Sequence, residues 1–493
     1  MRIGFDNKKY IEMQANHIRQ RIAQFGGKLY LEFGGKLFDD YHASRVLPGF
    51  APDAKIRMLT SLKDDAEIVI VLSANDIEGA KRRSDIGITY DEDALRLMDA
   101  FQNLGLYVGS IVITQFTGQP HAEAFQRKLE SQGIKVYRHY FIDGYPGDIN
   151  HIVSDEGFGK NDFIETTKPL VVITAPGPGS GKLATCLSQL YQEDKRGISA
   201  GYAKFETFPV WNLPLKHPVN LAYEAATADL DDRNIIDPFH LEAYNEVTVN
   251  YNRDVETFPV LKAMMERISG ESPYQSPTDM GVNMVGHCIC DDEACCEAAR
   301  NEIVRRYFKA AEDARTNGTG YSEVNKLEVL MNQAEVNPDW SAAHQACLKR
   351  EEETGLPAGA MVLPDGHLIT GKTSDLMGAA SSLLLNALKH MAGLEDPLLV
   401  ISESAIEPIC KLKTGHLGSH NPRLHSDEVL IALSISSATS ELAAQTIGAL
   451  KTLRGCDAYF SVIISDTDKK LYRSLGINVC CEPKYERHAY YHG

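Results

Sequence analysis

Long apolar runs are missing from this sequence. The longest stretches, such as Ile68-Val-Ile-Val-Leu72, are strand-sized, far short of the roughly 20 residues that a membrane-spanning helix needs. The first residues, Met1 to Lys9, hold no apolar segment of secretory type. Positive charge is in deficit as well. Lys and Arg total 50 against 67 Asp and Glu, a net charge of -17. That field repels nucleic acid and anionic membrane over most of the surface, so neither is an expected partner. A small anionic ligand then requires a local, preorganised site.

Cysteine is scarce, ten in 493 residues, and Cys295-Cys296 and Cys480-Cys481 are adjacent pairs. Neighbouring cysteines suit a disulfide framework poorly, so reduced thiols in a cytoplasm are expected. No H-E-x-x-H occurs, which removes the simplest metalloprotease. Low-complexity tracts and short repeats are absent too. Hydrophobic residues make up 43% and charged residues 24%, which are globular proportions.

What is present points to a multidomain α/β protein. The length suggests about three domains. Residues 1–215 alternate strand-like and amphipathic segments. Strands are expected over Lys28–Phe33, Glu67–Ser73, Tyr107–Gln115, Ile134–Ile142, Leu170–Thr174 and Gly201–Phe208. Helices such as Asp91–Leu104 and Ala122–Gln132 fall between them. This alternation predicts a mostly parallel sheet whose ligands gather beyond the carboxyl ends of the strands. Residues 216–335 read as mainly helical, with a strong helix over Glu297–Ala314. Residues 336–493 return to α/β alternation. There a hairpin is expected around Pro364-Asp-Gly366, a helix over Leu376–Met391, and strands over Pro397–Ser402 and Tyr459–Ser465.

The clearest chemical feature is Ala175-Pro-Gly-Pro-Gly-Ser-Gly-Lys182. It links a buried strand to a helix on which Leu183, Cys186, Leu187, Leu190 and Tyr191 share one face. Strand, glycine loop and helix N-terminus form the setting in which backbone N–H groups bind phosphate. Gly181-Lys182 fits the pattern G-x-x-x-x-G-K-[ST], but Pro176 replaces its first glycine and Leu183 its metal-binding hydroxyl. The prolines lack N–H groups. The cradle therefore falls to Gly177, Gly179, Ser180, Gly181 and Lys182, and Ser180 or Thr185 becomes the candidate metal ligand. A tight turn with a solvated lysine is the plain alternative. A dinucleotide site, with Glu206 on a ribose, is another.

Further candidates are more diffuse. Lys204 lies near the carboxyl end of the next strand, where it can neutralise charge. Asp229, Asp231 and Asp232 offer carboxylates for Mg²⁺ or for a general base, although helix capping explains them equally well. His416, His420, Arg423 and His425 cluster in a Gly- and Pro-containing loop fit for an anion or for proton transfer. Leu31-Glu-Phe-Gly-Gly-Lys36 and Lys81-Arg-Arg83 read as a glycine turn and a solvated basic loop. His287, Cys288, Cys290, Cys295 and Cys296 miss the zinc-ligand spacings, so no structural zinc is expected.

Several long strings carry a resemblance. They are Thr174–Thr185, His217–Thr227, Ile236–Tyr244, Val249–Val255 and Ser276–Asn283. In these the chain resembles, over its whole length, a bacterial family described as domain of unknown function 1846, or uncharacterised protein family 0371. Some members have been labelled ATP-dependent peptidases. The resemblance implies a bacterial cytoplasmic protein and no particular reaction, and the missing H-E-x-x-H gives the peptidase label no support. The leading expectation is an enzyme that uses ATP or GTP with Mg²⁺ in phosphotransferase or ligase chemistry on a small molecule. An NAD(P)-linked oxidoreductase and a non-catalytic nucleotide sensor or scaffold are the alternatives. A homo-oligomer is compatible with all three.

Overall fold

The computed structural model describes residues 2–35, 37–83, 86–230, 232–395 and 397–486, the side chain of Glu403 excepted. Lys36 and Asp231 lie outside the described residues. The chain forms two compact units, Arg2–Ala299 and Arg300–Gly493.

The first unit contains strands β1 (Leu29–Phe33), β2 (Ala66–Ser73), β3 (Tyr107–Phe116), β4 (Val136–Tyr140), β5 (Leu170–Thr174), β6 (Gly201–Phe205), β7 (Asn234–Ile236), β8 (Val249–Tyr251) and β9 (Gly281–Val282). Seven of them form one sheet in the order β4-β3-β2-β5-β1-β6-β9. Every neighbouring pair is parallel. Parallel strands need crossovers that cover both faces, so their residues are buried on both sides. β2 and β5 accordingly have no exposed residue. Their side chains Val69, Val71, Val172 and Ile173 join Leu31, Ile113 and Leu187 in one apolar core.

Each strand expected in residues 1–215 forms, with ends shifted by a few residues. The stretch from 216 to 299 is mainly helical, with helices Pro218–Ala226, Pro238–Tyr244 and Asn252–Ser269. It does not stand apart as a domain. β9 adds to the edge of the large sheet beside β6, while β7 and β8 pair with each other.

The strand order fixes where the loops open. From β2 the chain moves outward to β3, whereas from β5 it crosses β1 to reach β6. The connections after β2 and β5 therefore diverge, which leaves a crevice at the carboxyl edge of the sheet.

In the second unit β10 (Ala358–Val362), β11 (Leu368–Lys372), β12 (Asp457–Phe460) and β13 (Asn478–Cys481) form a mixed sheet in the order β11-β10-β12-β13. The expected hairpin joins β10 to β11, with Gly366 at a φ of +87°. Helix Ala379–Met391 supplies Leu383, Leu384 and Leu388 to a separate core. Residues 397–402, expected as a strand, form none. Pro397 has no N–H for a ladder, and Leu399 is 85% exposed. Among the described residues, no helix is long and apolar enough to cross a membrane.

Candidate functional site

The glycine loop occupies the carboxyl end of β5, and helix Lys182–Lys195 begins as it ends. Its glycines answer separate steric demands. A Cβ on Gly177 would stand 2.2 Å from the Tyr90 hydroxyl oxygen, so only glycine lets the loop approach that ring. Gly179 and Gly181 have φ of +77° and +88°, in the left-handed region that glycine enters at little cost. Two hydrogen bonds set the loop. Thr114 Oγ1 donates to the Ser180 carbonyl at 2.7 Å, and Ser180 Oγ donates to the Gly177 carbonyl at 2.9 Å.

That arrangement leaves donors unused. The N–H groups of Gly179, Ser180, Gly181, Lys182, Leu183 and Ala184 meet no acceptor among the described residues, and Gly181 caps the helix without a side-chain bond. Free N–H groups and the helix dipole together favour an anion there. The Lys182 side chain likewise has no described partner.

A cavity of about 450 Å³ opens beside the loop. Gly179, Gly181, Lys182 and Thr185 form one wall, Glu32 of β1 and Thr114 of β3 contribute to its lining, and Tyr140, Phe141 and Tyr145 form an aromatic rim. Thr185 is fully buried, and its Oγ1 has no hydrogen-bond partner. Buried hydroxyls are nearly always satisfied, so an orphan on a cavity wall points to something that enters the cavity. His139 also lines it. Burial pushes its imidazole down to about 4, and Nε2 lies 3.2 Å from the Asp162 carbonyl oxygen. The ring is therefore neutral and brings no positive charge to the cavity.

Gln115, at the end of β3, is another lining residue. Its φ of +51° is uncommon for a residue with a Cβ. Its Oε1 accepts from Ser73 Oγ and Asn75 Nδ2, each at 3.1 Å, and these bonds hold the strained backbone in place.

Glu32 is the residue that sequence reasoning missed. It stands in a buried strand, in register with Lys204 of β6, and accepts from the Tyr202 hydroxyl at 2.8 Å. A lone carboxylate inside an apolar strand was the available signal. Beyond it lies a compact charged group. Lys204 Nζ pairs with Asp254 and, at 2.9 Å, with Glu206 Oε1. Burial pushes the Glu206 carboxyl up to about 7 against the pull of Lys204. Burial works on Asp254 in the same sense, but Lys204 outweighs it and holds that carboxyl below its ordinary value. Asp254 thus supplies the main counter-charge to Lys204, and Glu206 a second, closely held partner.

The other sequence candidates lie in varied settings. Asp229 is exposed in the short turn Ala228–Leu230. Asp232 forms a two-pronged pair with Arg253, both contacts at 2.6 Å. Asp231 lies outside the described residues. His416, His420, Arg423 and His425 all belong to the second unit. His416 ends a π-helical turn, Leu412–His416. Arg423 pairs with Glu486 at 2.9 Å, and His425 Nδ1 lies 3.2 Å from Asp468 Oδ2. Of the basic run, Lys81 pairs with Asp76 at 3.1 Å and Arg83 with Asp93 at 2.9 Å.

The cysteine-rich stretch does not converge on one point. Cys288 Sγ approaches the Met284 carbonyl and Cys295 Sγ the Gly4 carbonyl. Cys296 Sγ stands 3.4 Å from His217 Nε2, which also lies 3.1 Å from Asp292 Oδ1. His217 Nδ1 accepts the Val219 N–H at 3.3 Å. The proton of the neutral ring is therefore on Nε2, the nitrogen that faces both neighbours.

Comparison with known proteins gives the chain its relatives. The family model described as "Domain of unknown function DUF1846, N-terminal" matches residues 3–335, and its C-terminal counterpart matches 339–491. The chain is 58% identical over 490 residues to UPF0371 protein cu0538 of Corynebacterium urealyticum, covering 99% of each. It is likewise 58% identical over 491 residues to UPF0371 protein DIP2346 of Corynebacterium diphtheriae, covering 99% of each. It is 54% identical over 489 residues to UPF0371 protein SpyM50764 of Streptococcus pyogenes serotype M5, again covering 99% of each. With both family models matched and identities this high along its length, the chain belongs to the DUF1846 family, the same group its sequence resembles.

Proposed function

We propose that the cavity beside Gly177–Lys182 binds a nucleotide through its phosphates. In this reading the chain uses ATP or GTP, with Mg²⁺, in phosphotransferase or ligase chemistry on a small molecule. The observation that carries the reading is the orphaned Thr185 hydroxyl, fully buried beside a helix N-terminus with unused N–H donors. A phosphate oxygen or a metal-bound water satisfies that hydroxyl and those donors together. The cavity's size lies within the ordinary range for small-molecule sites. Its aromatic rim provides flat apolar faces on which a base stacks.

The residues divide the work by chemistry. The loop N–H groups and Lys182 hold phosphate charge. Of the two hydroxyls considered for the metal, Ser180 is engaged within the loop, whereas Thr185 is unengaged. Glu32 shares the cavity and is a hard oxygen donor suited to Mg²⁺. It fills that part better than exposed Asp229 or Arg253-paired Asp232. Bound Mg²⁺ would neutralise phosphate charge. The strand order weighs against a dinucleotide site, where the ribose carboxylate ends the strand next to the glycine-loop strand. Glu206 instead ends a strand separated from β5 by β1 and is engaged by Lys204.

Thermal denaturation of the full chain with ATP, GTP and non-hydrolysable analogues, with and without Mg²⁺, tests the reading. A nucleotide-dependent rise in Tm that disappears in Lys182→Ala is expected. No shift with any of these ligands refutes it, and quenching or enhancement of NADH or NADPH fluorescence would transfer the site to the oxidoreductase alternative.

A further inference from the structure

A second cluster of titratable side chains, of different chemistry, lies at the β10–β11 hairpin of the Arg300–Gly493 unit. The β10–β11 hairpin turns at Pro364-Asp-Gly366, and Asp365 Oδ1 accepts the His367 N–H at 3.0 Å. This short local bond aims the carboxylate and leaves Oδ2 for other partners. Oδ2 lies 2.8 Å from His390 Nε2 and 3.2 Å from His367 Nδ1. The two imidazole centroids are 4.6 Å apart. One nitrogen from each ring and one carboxylate oxygen all fall within 4.8 Å of one another.

The scaffold beneath is rigid. His390 stands in the last turn of helix Ala379–Met391, which presses directly on β11. A Cβ on Gly371 would come within 2.3 Å of the Leu383 nitrogen, so glycine is required for that approach. Asn386 Nδ2 also donates to the Thr370 carbonyl at 2.9 Å, tying helix to strand. Helix packing, rather than a flexible loop, therefore sets His390 over the hairpin turn.

We propose that Asp365, His367 and His390 bind one divalent transition-metal ion of the zinc class. Two imidazoles and a carboxylate are the borderline nitrogen–oxygen donors that such ions prefer, while Mg²⁺ and Ca²⁺ favour all-oxygen sites. With metal–ligand bonds of 2.0 to 2.2 Å, neighbouring ligands of a tetrahedral ion stand about 3.3 Å apart. The two separations to Oδ2 need only small adjustments to reach that spacing, and the side chains are exposed enough to make them. Without an ion, the inner nitrogens carry the protons that Asp365 Oδ2 accepts. The outer nitrogens meet no acceptor among the described residues, so an incoming ion takes the inner positions while each ring keeps its proton on the outer, solvent-facing nitrogen. Three protein ligands leave the fourth position to water.

Titration of the full chain with Co²⁺, followed by visible absorption, tests the site directly. One equivalent is expected, giving the d–d bands of a nitrogen–oxygen site without a thiolate charge-transfer band, and Zn²⁺ should displace it. His390→Ala and Asp365→Asn should each weaken binding about tenfold or more, while His217→Ala leaves it unchanged. Asp365 and His367 are exposed and His390 is only half-buried at the end of its helix, so far-UV circular dichroism should match the wild type in every variant. Three results overturn the proposal: no saturable binding, binding that survives both variants, or a charge-transfer band that places the metal at Cys296.

Discussion

Leaving a buried hydroxyl unpaired costs about 1–3 kcal/mol, and Thr185 carries that cost at the wall of the glycine-loop cavity. A group that ligand binding satisfies should be dispensable for folding. Thr185→Val keeps the shape and removes the hydroxyl. Unfolding stability should then stay level or rise by up to about 1 kcal/mol, while nucleotide affinity falls about tenfold, the size of one lost hydrogen bond. Urea denaturation measures the first and the ligand-dependent Tm the second. Unchanged affinity would show that Oγ1 does not face the ligand. Gly177→Ala acts through sterics instead. Its Cβ must displace the Tyr90 ring or the loop, so we expect nucleotide-dependent stabilisation to be lost while far-UV circular dichroism remains close to wild type. At this scale the sequence disclosed the glycines and Lys182, because their residue types announce them. It did not disclose Glu32 as a cavity residue, because its role comes from strands whose paired residues, such as Glu32 and Ile173, are far apart in sequence.

Among the elements, helix Ser426–Ser437 offers a pH-dependent contact. Its start is held by Glu428, which accepts the His425 N–H at 2.7 Å, and by Asp468, which accepts from Ser426. The hydrogen bond to Asp468 lifts His425 above its ordinary value of 6.5, and its charge adds to the effect against burial. A raised histidine stabilises the fold fully below its unfolded value and loses that contribution as pH rises through the folded value. His425→Gln should therefore be destabilising near pH 6 and progressively less so towards about pH 8, as thermal denaturation across that range will show. An effect independent of pH would mean that the ring acts by packing alone. Long periodic elements such as Lys182–Lys195 and β2 were legible because burial dictates their patterns. β9 was not, since two residues carry no period. Residues 397–402 misled because an apolar run resembles a strand even where no sheet neighbour receives it.

The whole molecule carries a net charge of -17, and this bears on association more than on fold. We expect no retention of the full chain on duplex DNA or on anionic vesicles at about 0.1 M salt, where surface fields extend about 10 Å. Gel-shift and co-sedimentation assays check this, and a salt-sensitive complex with either would show a basic face that overrides the total charge. The sequence by itself established the α/β class, the shortage of long apolar segments and the glycine loop between strand and helix, because these depend on residue type and short-range period. Only the tertiary structure decided which strands are neighbours. It set β1 between β5 and β6 and brought Glu32 to the cavity beside Lys182 and Thr185. It also drew residues 216–299 into the first unit and gathered Asp365, His367 and His390 over one hairpin. Such placements arise from burying many apolar faces at once, and that long-range condition leaves no local mark in the chain.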